Sequence, residues 1–315
     1  MKTPSSWSTR IDDYIGYRQA LGFALASEAG ILRQFAKFMD ESGMQDRLTV
    51  ALAVAWARTS KRCTPITWGR RLEAIRGFAQ YWQRFHLTSE IAPPDWFGPA
   101  HRRLVPHIYT EAEILALMDA TQQLTPTDGL RPATCRTIFG LLASTGLRIS
   151  EATSLTRQDV DLDAAVLTIR EAKFHKSRLV PFDPSVTAAL HAYARLRDQI
   201  VPHTGSDHFF LFDHGRQISQ RHILYVLHGL CEHLGWQPRG DYIHHRLQDM
   251  RHTYIVRSIL RFYQQGTEVD RSVLALATYV GHAKVGNTYW YVTGIPELMN
   301  IAAERFEKYV QEISK

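Results

Sequence analysis

The chain has 315 residues, 45% of them apolar, which leaves room for two domains that each bury a core. Its three cysteines, Cys63, Cys135 and Cys231, are widely spaced and form no Cys-x-x-Cys pair, so a disulfide scaffold, a zinc ribbon and a redox motif are not expected; buried thiols in a reducing cytoplasm are. The first residues lack an apolar signal core and no stretch reaches the length of a membrane span, so neither secretion nor membrane insertion is expected.

The net charge of +6 lies entirely in the first third: residues 1–108 hold 15 Lys and Arg against 9 Asp and Glu, and residues 109–315 hold 22 of each. Between Arg58 and Arg84 stand seven basic residues (Arg58, Lys61, Arg62, Arg70, Arg71, Arg76, Arg84) and one acidic residue, Glu73. Such a stretch suits contact with a polyanion, and it equally suits a solvated basic face.

Along the chain, apolar residues recur at helical spacing from Ile11 to Phe38, with a break near Gly22 and a stop at Gly43. A short apolar helix is expected over 49–58. The next, over 66–86, places Trp68, Leu72, Ile75, Ala79, Trp82 and Phe85 on one side and Arg70, Arg76 and Arg84 largely on the other. The periodicity dissolves from Leu87 to Tyr109, a stretch with four prolines, and we read an interdomain linker over 96–109. Thr110 and Glu113 resemble a capping box that opens a second domain. Helical signals run through 132–158. The segments 166–170 and 177–182 are apolar and β-branched around a polar turn, which predicts a small antiparallel sheet. Helices return over 184–199, 219–234, 246–265, 269–280 and 296–313, the last with Pro296 at its first position. The fold class is therefore mainly α with one small antiparallel β-sheet.

Four phrases carry candidate chemistry: STGLRISEATSL around Arg148, EAKFHKSRLVPF around Lys173, RLQDMRHTYIV around Arg251, and YVGHAKVGNTYWYV with His282 and Tyr291. Attack on a phosphodiester needs a nucleophile, donors for the oxygens as charge builds, and a proton for the leaving oxygen. Arg148 and Arg251 suit the second task, because a guanidinium stays ionised and bonds two phosphate oxygens at once. Glu151, one helical turn after Arg148, is placed to hold it. Lys173 falls in the turn between the two predicted strands. No P-loop or Gly-x-Gly-x-x-Gly phrase occurs, no histidine pair has metal-ligand spacing, and this chemistry requires no metal or nucleotide cofactor.

Together these phrases resemble the tyrosine recombinases, the integrase family that breaks and rejoins DNA through a phosphotyrosine. The resemblance covers roughly residues 110–295 closely and the rest in outline. It implies an N-terminal helical, SAM-like core-binding domain over 1–95 and a mixed α/β catalytic domain over 110–315, closing around duplex DNA as a C-shaped clamp. In the family the attacking tyrosine follows the Gly-His phrase by nine residues, which selects Tyr291 over Tyr289, and the wording resembles transposon-encoded members. The resemblance further implies that Lys173 protonates the departing 5′ oxygen and that His282 donates to a non-bridging oxygen. Lys61, Arg62, Arg70, Arg71, Arg76, Lys176 and Arg178 would contact DNA. A homotetramer would pair two duplexes, partner recombinases or accessory factors can take part, and helix 296–313 would dock on its own domain or on a neighbour. Where most relatives read His-x-x-Arg, this chain has Gln248-Asp249-Met250-Arg251. Glutamine bonds a phosphate oxygen but is no base near neutral pH. His252 and His245 flank it on the same helical face, and either is a candidate substitute. A type IB topoisomerase-like enzyme and a DNA-binding accessory protein that has lost catalysis stay open as alternatives.

Overall fold

The computed structural model describes residues 6–293, apart from 26, 44–46, 62–63, 100–103, 173–175 and 283, and beyond these only 303, 307 and 310. Arg62, Cys63, Lys173, the side chain of Lys176 and nearly all of the expected helix over 296–313 lie outside the described residues. The chain divides into two units, Met1–Arg103 and Leu104–Lys315.

The first unit is helical: α1 (Trp7–Ala20), α2 (Glu28–Glu41), α3 (Val50–Arg58) and α4 (Pro65–Trp82). Side chains of Ser6, Thr49 and Thr64 cap α1, α3 and α4, and Pro65 occupies the first turn of α4, where its missing N–H costs nothing. Trp7, Ile11, Leu32, Phe35, Trp56, Ile75, Phe78 and Trp82 form the core. Arg10 is buried with its guanidinium 4.8 Å from the Trp7 ring and 4.7 Å from that of Trp82, so apolar faces accommodate its charge. The expected helix over 66–86 stops at Trp82, and Phe85, expected on its buried side, is 63% exposed because the helix that would have carried it inward has ended.

The second unit begins before the expected domain start. Residues 104–109, read from sequence as linker, pack within it: Tyr109 is buried and its N–H donates to Thr253 Oγ1 at 2.9 Å. The unit holds α5 (Glu111–Ala120), opened by the Thr110–Glu113 capping box, then α6 (Leu130–Thr145), α7 (Ile149–Ser154), α8 (Pro184–Ile200), α9 (Gln220–His233), α10 (Leu247–Gln264), α11 (Val269–Val280) and α12 (Gly286–Thr293). Strands β1 (Val160–Asp161), β2 (Val166–Ala172) and β3 (Lys176–Pro181) form an antiparallel sheet in that order, with Leu167 opposite Val180 and Ile169 opposite Arg178. Leu167, Ile169 and Val180 are buried and Leu179 is exposed, so the period-2 alternation turns one face of the hairpin into the core. Arg178, two residues before Val180, falls on the inward face.

Two glycines shape the chain around the future site. Gly146 ends α6 in the left-handed region (φ 64°), with the Tyr254 ring where a side chain would be. Gly281 ends α11 in the same way (φ 70°), and a Cβ there would stand 2.8 Å from Arg178 Nη1. Replacing Gly146 by alanine should therefore destabilise the second unit by about 2 kcal/mol, left-handed strain and the Tyr254 overlap acting together. A lowered urea midpoint for that unit is the expected readout.

Candidate active site

The C-terminal end of α11 is the centre of the site. The last carbonyls of a helix have no partner within it and carry the negative end of its dipole. Here three consecutive carbonyls each receive one arginine: Tyr279 O accepts from Arg178 Nε at 2.8 Å, Val280 O from Arg251 Nη2 at 2.6 Å, and Gly281 O from Arg148 Nη2 at 3.1 Å. The arginines come from three elements. Arg148 is the N-cap of α7, immediately after the Gly146 turn; Arg178 lies on β3; Arg251 lies in the first turns of α10. Arg251 also donates to Gly146 O at 2.8 Å, tying the end of α6 to the end of α11.

One carboxylate balances this charge. Glu151 Oε1 accepts from Arg148 Nη1 at 2.7 Å and from Arg178 Nη1 at 3.0 Å, and Oε2 accepts from Arg178 Nη2 at 2.8 Å and the Arg148 N–H at 3.0 Å. Burial alone would raise its pKa; the hydrogen bonds from Arg178 and the Arg148 backbone, with both charges, outweigh that and hold it at about 2. Arg251 is 1% exposed, and burial, followed by the charge of Arg148, pushes it down to about 9, still ionised at neutral pH. Three cations against one carboxylate leave this cluster electropositive, a setting that an anion completes.

Past Gly281 the chain enters His282, whose Nδ1 meets Thr288 Oγ1 on α12 at 2.7 Å. α12 then carries two tyrosines in opposite environments. Tyr289 is 39% exposed and donates to Asp270 Oδ1 at 2.6 Å, a bond and a charge that raise its pKa. Tyr291 is 3% exposed, packed with Ile255, Ile259 and Val280, and its hydroxyl meets Nδ1 of His252 on α10.

The sequence-predicted residues Arg148, Glu151, Arg251, His282 and Tyr291 thus sit on adjoining elements that meet at the end of α11. Gln248 stands partly exposed in the first turn of α10, one turn before His252. His245 lies before α10 begins, so it shares no helical face with Gln248, and it is buried against His107 and Tyr109. Arg178 departs from expectation. Expected on DNA phosphates, its side chain is 11% exposed and committed to Glu151, because strand alternation points it inward. The Val180 register was the signal that could have shown this. α12 was not expected: Thr, Tyr, Trp and Val are indifferent helix formers, and packing of Thr288 and Tyr291 supplies what propensity does not.

In the first unit Lys61 and Arg70 are exposed on their own segments. Arg71 lies with its guanidinium 3.7 Å from the Trp56 ring centre and bonds Thr59 Oγ1, and Arg76 donates to the Ala92 carbonyl at 3.1 Å. Among the described residues no group of His, Cys, Asp and Glu is arranged to hold a metal ion, and no helix is long and apolar enough to cross a membrane.

Residues 108–294 match the phage integrase family. A Sinorhizobium fredii protein named integrase/recombinase y4rB is 35% identical over 308 residues, covering 96% of this chain and 98% of that protein. Tyrosine recombinase XerC of Herpetosiphon aurantiacus is 26% identical over 312 residues, covering 96% and 94%. Among solved structures, the Tn1549 transposon integrase in complex with transposon right end DNA superposes with a TM-score of 0.66 at 16% identity, covering 96% of this chain and 100% of that one. The XerH site-specific recombinase, bound to a palindromic difH substrate in a post-cleavage complex, gives 0.63 at 16% identity over 89% and 79%. These two likenesses show the shared fold, and the family match spans the elements that carry the arginine cluster and both tyrosines: the chain belongs to the phage integrase family, the tyrosine recombinases that break and rejoin DNA strands.

Proposed function

We propose that this recombinase acts on the DNA of a mobile element, in the cytoplasm, and that Tyr291 is its nucleophile. The observation that carries the assignment is the placement of the Tyr291 hydroxyl beside α10, next to Arg251 and His252, while Tyr289 is held by a carboxylate on the outer side of α12. Ionising a phenol of ordinary pKa at neutral pH costs about 4 kcal/mol, which nearby cations reduce and a neighbouring carboxylate increases.

In this reading Arg148 and Arg251 bond the non-bridging oxygens of the scissile phosphate, and His282, with Gln248 as a further donor, completes the cradle for charge that grows in the transition state. The Tyr291 oxygen bonds phosphorus, the bond from phosphorus to the 5′ oxygen breaks, and Lys173 supplies the proton that oxygen needs. A 3′-phosphotyrosyl link remains. The 5′ hydroxyl of a partner strand attacks that link and returns the phosphodiester with its bond energy conserved. Lys61, Arg62, Arg70, Arg71, Arg76 and Lys176 contact the DNA backbone, four protomers join two duplexes, and helix 296–313 serves contacts between them or docks at home. Arg178 is assigned to the support of Glu151.

A nicked suicide substrate carrying the element's end, incubated with wild type, Tyr291→Phe and Tyr289→Phe, should give a covalent protein–DNA adduct with wild type and Tyr289→Phe and none with Tyr291→Phe. Adduct from Tyr291→Phe would overturn the nucleophile, and tight binding without adduct from any of the three would favour an accessory DNA-binding protein.

The arginine clamp also requires Glu151 to be ionised. Its folded pKa of about 2 lies below the ordinary 4.5, so the stabilisation it gives is complete above about pH 4.5 and is lost as pH falls through 2. Glu151→Gln should therefore lower stability at pH 7 by about 3 kcal/mol, and the gap to wild type should close as denaturation is followed from pH 4.5 down to 2.

A further inference from the structure

We propose that His252 is the proton acceptor for Tyr291 in this chain, serving from one turn further along α10 where Gln248 stands in the position of the usual histidine. The inference rests on the assignment of Tyr291 as nucleophile.

The contact is direct. His252 Nδ1 and the Tyr291 hydroxyl are hydrogen-bond partners, and the two rings lie 5.4 Å apart at 45°. Each is fixed by its own helix, α10 for the histidine and α12 for the tyrosine, and these helices pack on each other and on α11. The groups that face His252 are Arg246 at the start of α10, Arg251 beside it, His282 from the turn after α11, and Tyr291 itself. Burial first, then the charges of Arg246 and Arg251, push the imidazole down to about 3, so it is neutral at physiological pH. A neutral ring that accepts from the phenol at Nδ1 carries its own proton on Nε2. In that tautomer the Nδ1 lone pair is aimed at the reacting hydroxyl.

The same depression makes His252 a weak base in the free protein, and substrate offsets the part of it that comes from charge. A scissile phosphate seated on Arg148 and Arg251 brings negative charge to Arg251, one of the two arginines that depress the imidazole, which raises its affinity for a proton as attack begins. The step then balances. The Tyr291 proton passes to His252 Nδ1, the phenolate oxygen bonds phosphorus, and the bond to the 5′ oxygen breaks as that oxygen takes a proton from the general acid of the proposed reaction. On rejoining, His252 returns its proton to Tyr291. Gln248 retains only a donor's part, since an amide cannot take up a proton near neutral pH.

The test measures the rate of adduct formation on the suicide substrate, alongside DNA affinity, for wild type, Tyr291→Phe, His252→Ala and His252→Asn. His252→Ala should bind DNA as wild type does and form adduct about 100-fold more slowly. Added imidazole should restore part of that rate, increasingly as pH rises and imidazole loses its proton, whereas pyrrole, a ring of the same size without the acceptor nitrogen, should not. His252→Asn keeps an acceptor oxygen near the position of Nδ1 but cannot be protonated, and it should stay at least about 10-fold below wild type; this variant decides the matter if the alanine variant loses DNA binding. His252→Ala at wild-type rate or faster would overturn the proposal, the bond then being a clasp that holds the tyrosine back. Equal effects of imidazole and pyrrole, or full activity of His252→Asn, would overturn it as well, leaving His252 a packing role. Absence of adduct from wild type, or adduct from Tyr291→Phe, would instead strike the nucleophile assignment on which the inference stands.

Discussion

Three guanidinium groups converge on three consecutive carbonyls at the end of α11, and the rest of the site depends on that convergence. A helix end left bare inside a protein is costly; this one is closed by Arg178, Arg251 and Arg148, drawn from the sheet, from α10 and from α7. Because each arginine belongs to a different element, fixing the carbonyls also fixes those elements relative to one another. The chain leaving this point carries His282 and then α12 with Tyr291, so both inherit a position set by the arginines. Enclosing three cations, Arg251 fully and Arg148 and Arg178 in part, calls for a counter-charge, and Glu151, shared between Arg148 and Arg178, supplies one. The arrangement stops short of neutrality, and the remaining positive charge is what a phosphate would find.

α12 resolves the two neighbouring tyrosines by geometry alone. Residues two apart on an α-helix project roughly 200° apart, onto nearly opposite sides. One of the pair must turn toward α10 and α11 and the other outward, and the exposures of Tyr291 and Tyr289 show which is which. Had the segment been extended, both would have faced the same side and the choice would have rested on finer differences. A helix built from indifferent helix formers is held by what it buries, chiefly Thr288 and Tyr291, so the packing that orders the segment also orients the tyrosine.

Much of this was legible in the residues because it follows local rules. The breaks at Gly22 and Gly43, the Thr110–Glu113 capping box, the β2–β3 hairpin and α11 all stand where spacing and capping chemistry put them. Arg148, Glu151 and Arg251 were recognisable as a set, and the partnership of Arg148 with Glu151 followed from their separation by one turn. Features that depend on tertiary contact were not. Arg178 reads as a surface cation beside Lys176 until the register with Ile169 turns it inward, and His252 is singled out from His245, the other candidate substitute for Gln248, only when α12 folds back onto α10. The linker's end was misjudged because prolines mark irregular backbone, whereas burial of Tyr109, which no local pattern announces, decides which unit owns it.

The two units hold positive charge by opposite electrostatic means. The first holds the whole excess of positive charge, with Lys61 and Arg70 exposed on its surface. Such charge acts at a distance and is screened beyond a Debye length of about 8 Å at physiological ionic strength. The second has as many acidic as basic residues and no surplus to spread over its surface; it builds its positive site by burying Arg251 and largely enclosing Arg178 at the end of α11, where screening is weak. A surface charge captures DNA without regard to atomic detail, while a buried cluster distinguishes one phosphate from the next by fit. Under the proposed function, ionic strength therefore governs how tightly the protein is held on DNA, and geometry at the end of α11 governs whether the strand is cut. Under the same proposal, substitutions at Arg70 and at Arg251 belong to these separate regimes: the first would change a salt-dependent affinity shared by any sequence, and the second removes a fixed charge that no exposed arginine can replace.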